Sequence, residues 1–199
     1  MAAAPPIVII TPCSRPHYLT KIYESIRFDM ISAWIIIYDT RHIPFEKRYP
    51  DNSKIIELEC KDEGVAGHQI RNFALNIVQN AMMYFLDDDN IMHPFFWNLI
   101  PNFKLGNIYT FNLLYQNGAI LPGDNPIPTK IDTSQYIFDR SLVGDLRFKT
   151  DEYRADGVFI NTLYEQNRER SSHFNYIAAY YNWLNKEQPL PISQVMYST

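Results

Sequence analysis

In the first half of the chain the apolar positions fall in short unbroken runs, and between the runs they switch to helical spacing. Residues 7–10, 33–38 and 82–86 are each almost wholly apolar or aromatic. Runs of this length are too short for helices and read as strands covered on both faces, the pattern of a parallel sheet. Residues 54–59 alternate more, as a strand nearer a sheet edge does. After the first run, Leu19, Ile22, Tyr23 and Ile26 recur at helical spacing. Pro16 suits the first turn of that helix, with Ser14 or Arg15 in the cap region. A second amphipathic helix carries Ile70, Phe73, Ala74, Ile77 and Val78 on one side. Strand, loop and helix in succession predict an α/β domain with a mostly parallel central sheet flanked by helices.

The second half is less regular. Residues 107–115 and 135–139 read as strands. His93 and Pro94 restart a helix bearing Phe95, Phe96, Trp97 and Leu99. A further helix runs through Phe159, Ile160, Leu163 and Tyr164 behind an acidic cluster of Asp151, Glu152 and Asp156. A last, tyrosine-rich helix is predicted over residues 173–185. Residues 116–134 hold Gly118, Pro122, Gly123, Pro126 and Pro128 and read as a long loop of the functional or mobile kind. The expectation is one domain over 1–199, with a half at 7–90, a second half at 91–185 and a tail or linker at 186–199. Further domains in a longer native chain are compatible with it.

Composition narrows the class. A chain of 199 residues that is 46% hydrophobic and 15% aromatic supports a folded core. A net charge of −4, with no Lys-Arg run, argues against a nucleic-acid partner. No stretch approaches the ~20 apolar residues of a membrane span, and residues 1–6 lack the basic region and apolar core of a signal peptide. Cys13 and Cys60 have no metal-type spacing and suit a reducing compartment. The expected location is cytoplasmic, and a membrane-bound acceptor remains compatible with it. Cys13 reads as a small half-buried thiol rather than a nucleophile.

The chemistry gathers at strand ends, where open α/β sheets bind ligands. The run 82–86 leads straight into Asp87, Asp88 and Asp89. Adjacent carboxylates repel one another, and a counter-cation relieves them. Their oxygens are the hard ligands that Mg²⁺ and Mn²⁺ prefer, so the triplet is either a divalent-metal site that holds phosphates or a solvated acidic turn. The loop after the first strand, with Thr11, Pro12, Ser14 and Arg15, is polar but lacks glycine, so it is neither a P-loop nor a dinucleotide fingerprint. Arg15 reaches a phosphate or stays a solvated surface charge. Asp39 at the second strand's end accepts from a ribose or a base, or serves a turn. Gly67, His68, Arg71 and Asn72 open the second helix, whose N-terminus favours anions. Arg71 otherwise pairs with Asp62 or Glu63.

These residues together resemble the GT-A glycosyltransferases that use nucleotide-sugar donors, in particular family-2-type enzymes, over roughly residues 7 to 170. More narrowly they resemble glycosyltransferase domains of large algal viruses (chloroviruses). Ile9, Ile10, Thr11 and Pro12, with Arg15 and Pro16, resemble the segment that holds uracil and ribose. Asp39 resembles the nucleoside-contacting acid. Gly67, Arg71 and Asn72 resemble a Gly-x-x-x-Ala-Arg-Asn segment, departing from it at His68 and Ile70. Asp87, Asp88 and Asp89 resemble the DxD motif. The resemblance implies transfer of a sugar from a UDP-sugar to a hydroxyl of a glycan or glycoconjugate, with Mn²⁺ or Mg²⁺ and with inversion of configuration. Thr11, Pro12, Arg15, Asp39, Gly67, Arg71, Asp87 and Asp88 would bind the donor. Asp89, Asp87 and His173 would hold the metal, His173 being otherwise a packing or surface residue. Asp156 would be the general base, with Asp151 and Glu152 as rivals, or else a helix cap.

Other classes fit less of the pattern. A sugar nucleotidyltransferase carries a Gly-rich loop and a lysine where this chain has Arg15. A non-catalytic nucleotide-sugar or carbohydrate-binding module would bind donor without turnover. A metal-dependent phosphohydrolase lacks a nucleophile motif here.

Overall fold

A computed structural model describes residues 4–41 and 43–185; the expected tail at 186–199 lies outside the described residues. The first half follows the apolar runs. β1 (Ile7–Cys13) leads through a 3-10 turn (Pro16–Tyr18) to α1 (Leu19–Ser25), and then come β2 (Ala33–Asp39), β3 (Ile55–Cys60), α2 (His68–Ile77) and β4 (Met82–Phe85). The pairs β1–β2, β2–β3 and β1–β4 are all parallel, with β3 outermost.

Strand alternation divides the core in two. Ile7 and Ile9 of β1 pack with Leu19 and Ile22 of α1 on one side of the sheet. Val8 and Ile10 pack with Ile70, Ala74 and Leu75 of α2 on the other. Covering both sides is what removes polar positions from the runs. β3, at the edge, leaves Ile56 exposed.

The second half comprises β5 (Ile91–Met92), β6 (Ile108–Tyr115), β7 (Ile120–Leu121), β8 (Tyr136–Asp139), α3 (Ala155–Gln166) and β9 (Ser171–Tyr181). The sheet continues from β4 as β8-β6-β9-β5, with β7 beside β6. β8 runs antiparallel to β4 and β6, while β9 is parallel to β6 and antiparallel to β5. Parallel pairing is therefore concentrated in the first half, and the sheet is mixed beyond β4. α3 lies on the α2 side, where Phe159 stacks on Phe148 at 4.0 Å between ring centroids.

Two expectations are corrected. Residues 171–181 form a strand, not the start of a helix over 173–185. Aromatic side chains suit a pleated surface: Phe174 packs inward against Phe111 and Tyr109, while Tyr176 points outward onto Phe95. Residues 93–99 form no α-helix but lead into two 3-10 turns, Pro94–Asn98 and Ile100–Asn102. Pro101 has no N–H to donate to a continuing α-helix.

The long loop over 116–134 is fastened along its length. Gly123 N–H donates to Asn112 Oδ1 at 3.0 Å, and Asn161 Nδ2 to the Pro126 carbonyl at 3.0 Å. Gly157 in the first turn of α3 meets this loop so closely that an added Cβ would stand 2.0 Å from the Pro128 carbonyl oxygen. No helix among the described residues is long and apolar enough to cross a membrane.

Candidate active site

The carboxyl ends of β1, β2 and β4, the start of α2 and the start of α3 open onto one cavity of about 1720 Å³. Pro12, Arg15, Asp39, Gly67, Arg71, Asp87, Asp88, Asp89, Asp156 and His173 all line it.

The three aspartates after β4 take three different roles. Asp88 turns inward. Its Oδ2 accepts from the backbone N–H groups of Ser14 and Arg15, each at 2.7 Å. Its Oδ1 accepts from Arg15 Nε at 2.9 Å and from Arg15 Nη2. Asp89 meets the same arginine, with Nη1 to Oδ2 at 2.8 Å. Arg15 thus bridges the last two acids. Burial raises the Asp89 carboxyl to about 6; Arg15 opposes that rise, and Asp87 and Asp88 add to it. Asp87 faces away from Arg15 and accepts from Arg71 Nη2 at 2.5 Å and from Thr133 Oγ1 at 3.3 Å.

Arg71 is buried near the start of α2. Burial alone would lower its basicity, but Asp87 and Asp156 outweigh it and keep the guanidinium charged. Nη1 donates to the Ala66 carbonyl, and Nε has no hydrogen-bond partner among the described residues. The predicted alternative partners are elsewhere: Arg41, not Arg71, approaches Asp62, at 3.8 Å. Gly67 makes room for Arg71. Its φ is +74°, and an added Cβ would stand 3.2 Å from Arg71 Nη1 and 3.4 Å from Pro12 Cβ.

Around Arg71 stands a surplus of acid. Asp156 lies in the first turn of α3, whose N-cap is Arg154, so it is not the helix cap. Burial raises its carboxyl; the Gly157 N–H and Arg71 pull it back, and Asp87 pushes it up again. Asp132, at the end of the long loop, is raised well above the ordinary range by burial and then by Asp87 and Asp156. Asp151 and Glu152, the rivals of Asp156, do not line the cavity, and Glu152 pairs with Lys149 at 3.2 Å.

Other predicted residues are placed as follows. Thr11 is corrected: it is fully buried, its Oγ1 accepting from Trp34 Nε1 at 2.9 Å, so strand alternation turns it into the core while Pro12 meets the cavity. Asp39 accepts from the backbone N–H of Arg41 at 3.0 Å and from Arg41 Nη2 at 3.0 Å. Asn72 exchanges hydrogen bonds with the backbone of Phe148 and ties α2 to the segment before α3. Cys13 is buried, and burial pushes its thiol up, which disarms it as a nucleophile. His173 is on β9, three strands from β4 in the sheet order, with Nδ1 3.0 Å from Thr110 Oγ1. Among the described residues no three His, Cys, Asp or Glu side chains converge as a metal cage.

Sequence reasoning missed Arg41, Thr133, Asp132 and Asn182. Asn182 N–H donates to Asn90 Oδ1 at 2.7 Å, and Leu184 N–H to the Asp89 carbonyl at 3.0 Å, so the segment just after β9 fastens the acidic loop. Arg41 had a signal, two positions after Asp39. The others are joined to the site only by tertiary structure.

No protein-family model matches the chain, and no curated protein matches it by sequence. Solved structures do resemble it. S. aureus TarS 1–349 superposes with a TM-score of 0.65 at 13% identity, over 88% of this chain and 60% of that one. TarS has been solved with UDP and with UDP-GlcNAc. The mannosyltransferase PcManGT from Pyrobaculum calidifontis, in complex with GDP-Man and Mn²⁺, gives 0.63 at 12% identity, over 93% of this chain and 59% of that one. Glucosyl-3-phosphoglycerate synthase from Mycobacterium tuberculosis, in complex with Mn²⁺, UDP and glucosyl-3-phosphoglycerate, gives 0.59 at 13% identity, over 96% of this chain and 74% of that one. This chain spans about three fifths of TarS 1–349 and of PcManGT. At such identities the likeness is one of architecture, and the chain has the α/β fold of the GT-A type.

Proposed function

We propose that this domain is a metal-dependent glycosyltransferase that moves a sugar, with inversion, from a UDP-sugar to a hydroxyl of a glycan or glycoconjugate. One observation carries the reading: the loop after β1, the end of β2, the acidic triplet and the starts of α2 and α3 open onto a single cavity. Pro12 and Asp39 would meet the nucleoside, with Gly67, Arg71, Asp87 and Asp88 lining the rest of the donor site. Arg15 and Arg71 are the cationic side chains beside the acids, and guanidinium groups suit a diphosphate.

The donor chemistry fits a divalent cation. Asp89 borders the cavity and resists ionisation because of burial and its acidic neighbours, a penalty that a cation relieves. Mg²⁺-type sites use one or two carboxylates and leave the remaining positions to phosphate oxygens and water, so no full protein cage is needed. Asp89 would hold the ion, with Asp87 and His173 the further candidates. When bound, the ion supplies Lewis-acid neutralisation of the departing diphosphate.

Asp156 is the candidate base. It accepts the proton of the acceptor hydroxyl as the oxygen attacks the anomeric carbon and the bond from that carbon to the diphosphate oxygen breaks. Its raised affinity for a proton suits that task. The test is a screen of nucleotide sugars with Mn²⁺, read by melting temperature and by release of nucleoside diphosphate. A ligand at 100 times its Kd stabilises by about 2.7 kcal/mol. Absence of binding by every nucleotide sugar refutes the reading, and binding without turnover on any acceptor leaves a binding module in its place.

A further inference from the structure

The donor groups named above account for only part of the cavity. Its volume of about 1720 Å³ exceeds the ~300–1,000 Å³ of a site for one small ligand. Another part of its lining comes from β6 and β9, and there β9 bulges. Thr110 is level with His173 but Asn112 with Ile177, so residues 174–176 stand opposite the single Phe111. A bulge re-aims side chains. This one brings Asn175 into the cavity lining while Phe174 stacks on Phe111.

A buried amide holds the bulge to the long loop. Asn112 Nδ2 donates to Asn175 Oδ1 at 2.8 Å, and Asn112 Oδ1 accepts from the Gly123 N–H at 3.0 Å. Gly123 is pressed so close to β6 that an added Cβ would stand 1.9 Å from the Phe111 carbonyl oxygen. The next residue, Asp124, is exposed, lines the cavity and lies near enough to His173 for its charge to bear on that ring. Asn175 Nδ2 has no hydrogen-bond partner among the described residues. One fixed amide thus presents a donor at Asn175 and an acceptor at Asp124. Tyr115 and Tyr181 meet edge to face at 5.0 Å and line the same cavity.

We propose that this part of the cavity is a subsite for an uncharged sugar unit of the acceptor, with Asn175 and Asp124 as its specificity-determining residues and Asn112 as the residue that positions both. This rests on the reading that a nucleotide sugar occupies the part bearing the aspartate triplet. A sugar hydroxyl donates and accepts at once, and the pair offers it both partners. Aromatic surface beside a few placed polar groups is the composition of a small-molecule site. A phosphate or carboxylate on the acceptor would meet the Asp124 carboxylate, and such like-charge contacts exclude wrong partners.

The experiment records saturation-transfer difference NMR of methyl glycosides of glucose, galactose, mannose, xylose, rhamnose and fucose, with glucuronate and glucose 6-phosphate as charged counterparts. Each is added to the wild-type domain, Asn175→Ala and Asp124→Asn, without and with UDP and Mg²⁺. Both positions are exposed, and circular dichroism establishes that the variants fold. Expected is binding of at least one neutral glycoside in preference to the charged sugars. Asn175→Ala weakens it roughly 3–10-fold and Asp124→Asn roughly tenfold or more, while the melting-temperature rise given by UDP stays as in wild type. Four results overturn the subsite: no neutral glycoside binds, both variants bind as wild type does, the charged sugars bind more tightly, or UDP-sugar displaces the glycoside and so places it in the donor's position. If UDP fails to bind wild type, the donor reading falls, while the glycoside comparison still decides whether Asn175 and Asp124 hold a sugar.

Discussion

Arg71 and Asp87 form an ion pair whose two ends differ in burial, and that asymmetry predicts unequal costs of breaking it. The Arg71 side chain is 5% exposed and that of Asp87 24%. Asp87→Ala strands a guanidinium that has little access to water, leaving it the Ala66 carbonyl and a long contact of 3.4 Å to Thr133 Oγ1. Removing one partner of a buried pair costs roughly 3–5 kcal/mol, and Asp156 and Asp132 nearby place this case at about 3. Arg71→Met strands a carboxylate that already borders the cavity and can hydrate, so the cost is about 1–2 kcal/mol. The double variant should cost clearly less than the sum, with a coupling of about 2 kcal/mol. Urea denaturation followed by fluorescence of the buried Trp34 and Trp97 reads these values. With a urea slope of ~2 kcal/mol per molar, Asp87→Ala lowers the midpoint by ~1.5 M. Additive costs, or a larger loss in Arg71→Met than in Asp87→Ala, refute the reasoning.

Three further outcomes test the site and its frame. Asp156→Asn keeps shape but cannot take a proton, so it should fold and bind UDP normally yet lose transfer by roughly 10²-fold or more; wild-type transfer should rise with pH through the raised value of Asp156, and near-normal transfer in Asp156→Asn defeats its role as base. Gly157→Ala drives a methyl group into the Pro128 carbonyl and should cost at least about 1–3 kcal/mol of stability, measured by thermal melting; an unchanged melting temperature means that α3 and the long loop are not in close contact. Asp89→Ala should abolish Mn²⁺-dependent UDP binding, and wild-type Mn²⁺ affinity in titration calorimetry should fall as pH drops below about 6 and level off above it. The same group has its folded value above the unfolded 3.8, so its contribution to stability is full below that value and is lost as pH rises through about 6.

The first half was legible because local pattern and tertiary setting agree there. Residues 7–10, 33–38 and 82–86 are unbroken apolar runs because α1 covers one side of the sheet and α2 and α3 the other. The acidic triplet could be placed at a strand end from sequence because β4 runs directly into it. The misreadings have separate physical causes. β9 breaks register between Thr110 and Leu113 of its partner, and that irregularity blurs the two-residue period. Pro101 turns a helical-looking aromatic run into 3-10 turns. Thr11 and Pro12 are neighbours in one strand, and only the pairing register says which of them meets the cavity. Partner choice was least legible: Arg71 has acids close in sequence at Asp62 and Glu63 but takes Asp87, because α2 lies against the end of β4.

The stitches from Asn182 and Leu184 to Asn90 and Asp89 have a consequence for how the domain is made. Asn182 is 92 residues beyond Asn90. The parallel half can assemble from contacts among its own strands, but the loop that carries the acids gains these fasteners only after β9 has threaded between β6 and β5. Such distant closures are made late, since their entropy must be met before the contact rewards it. The order of the acidic loop therefore depends on contacts of long sequence separation, and a change that loosens the segment after β9 should loosen that loop before it loosens the parallel half.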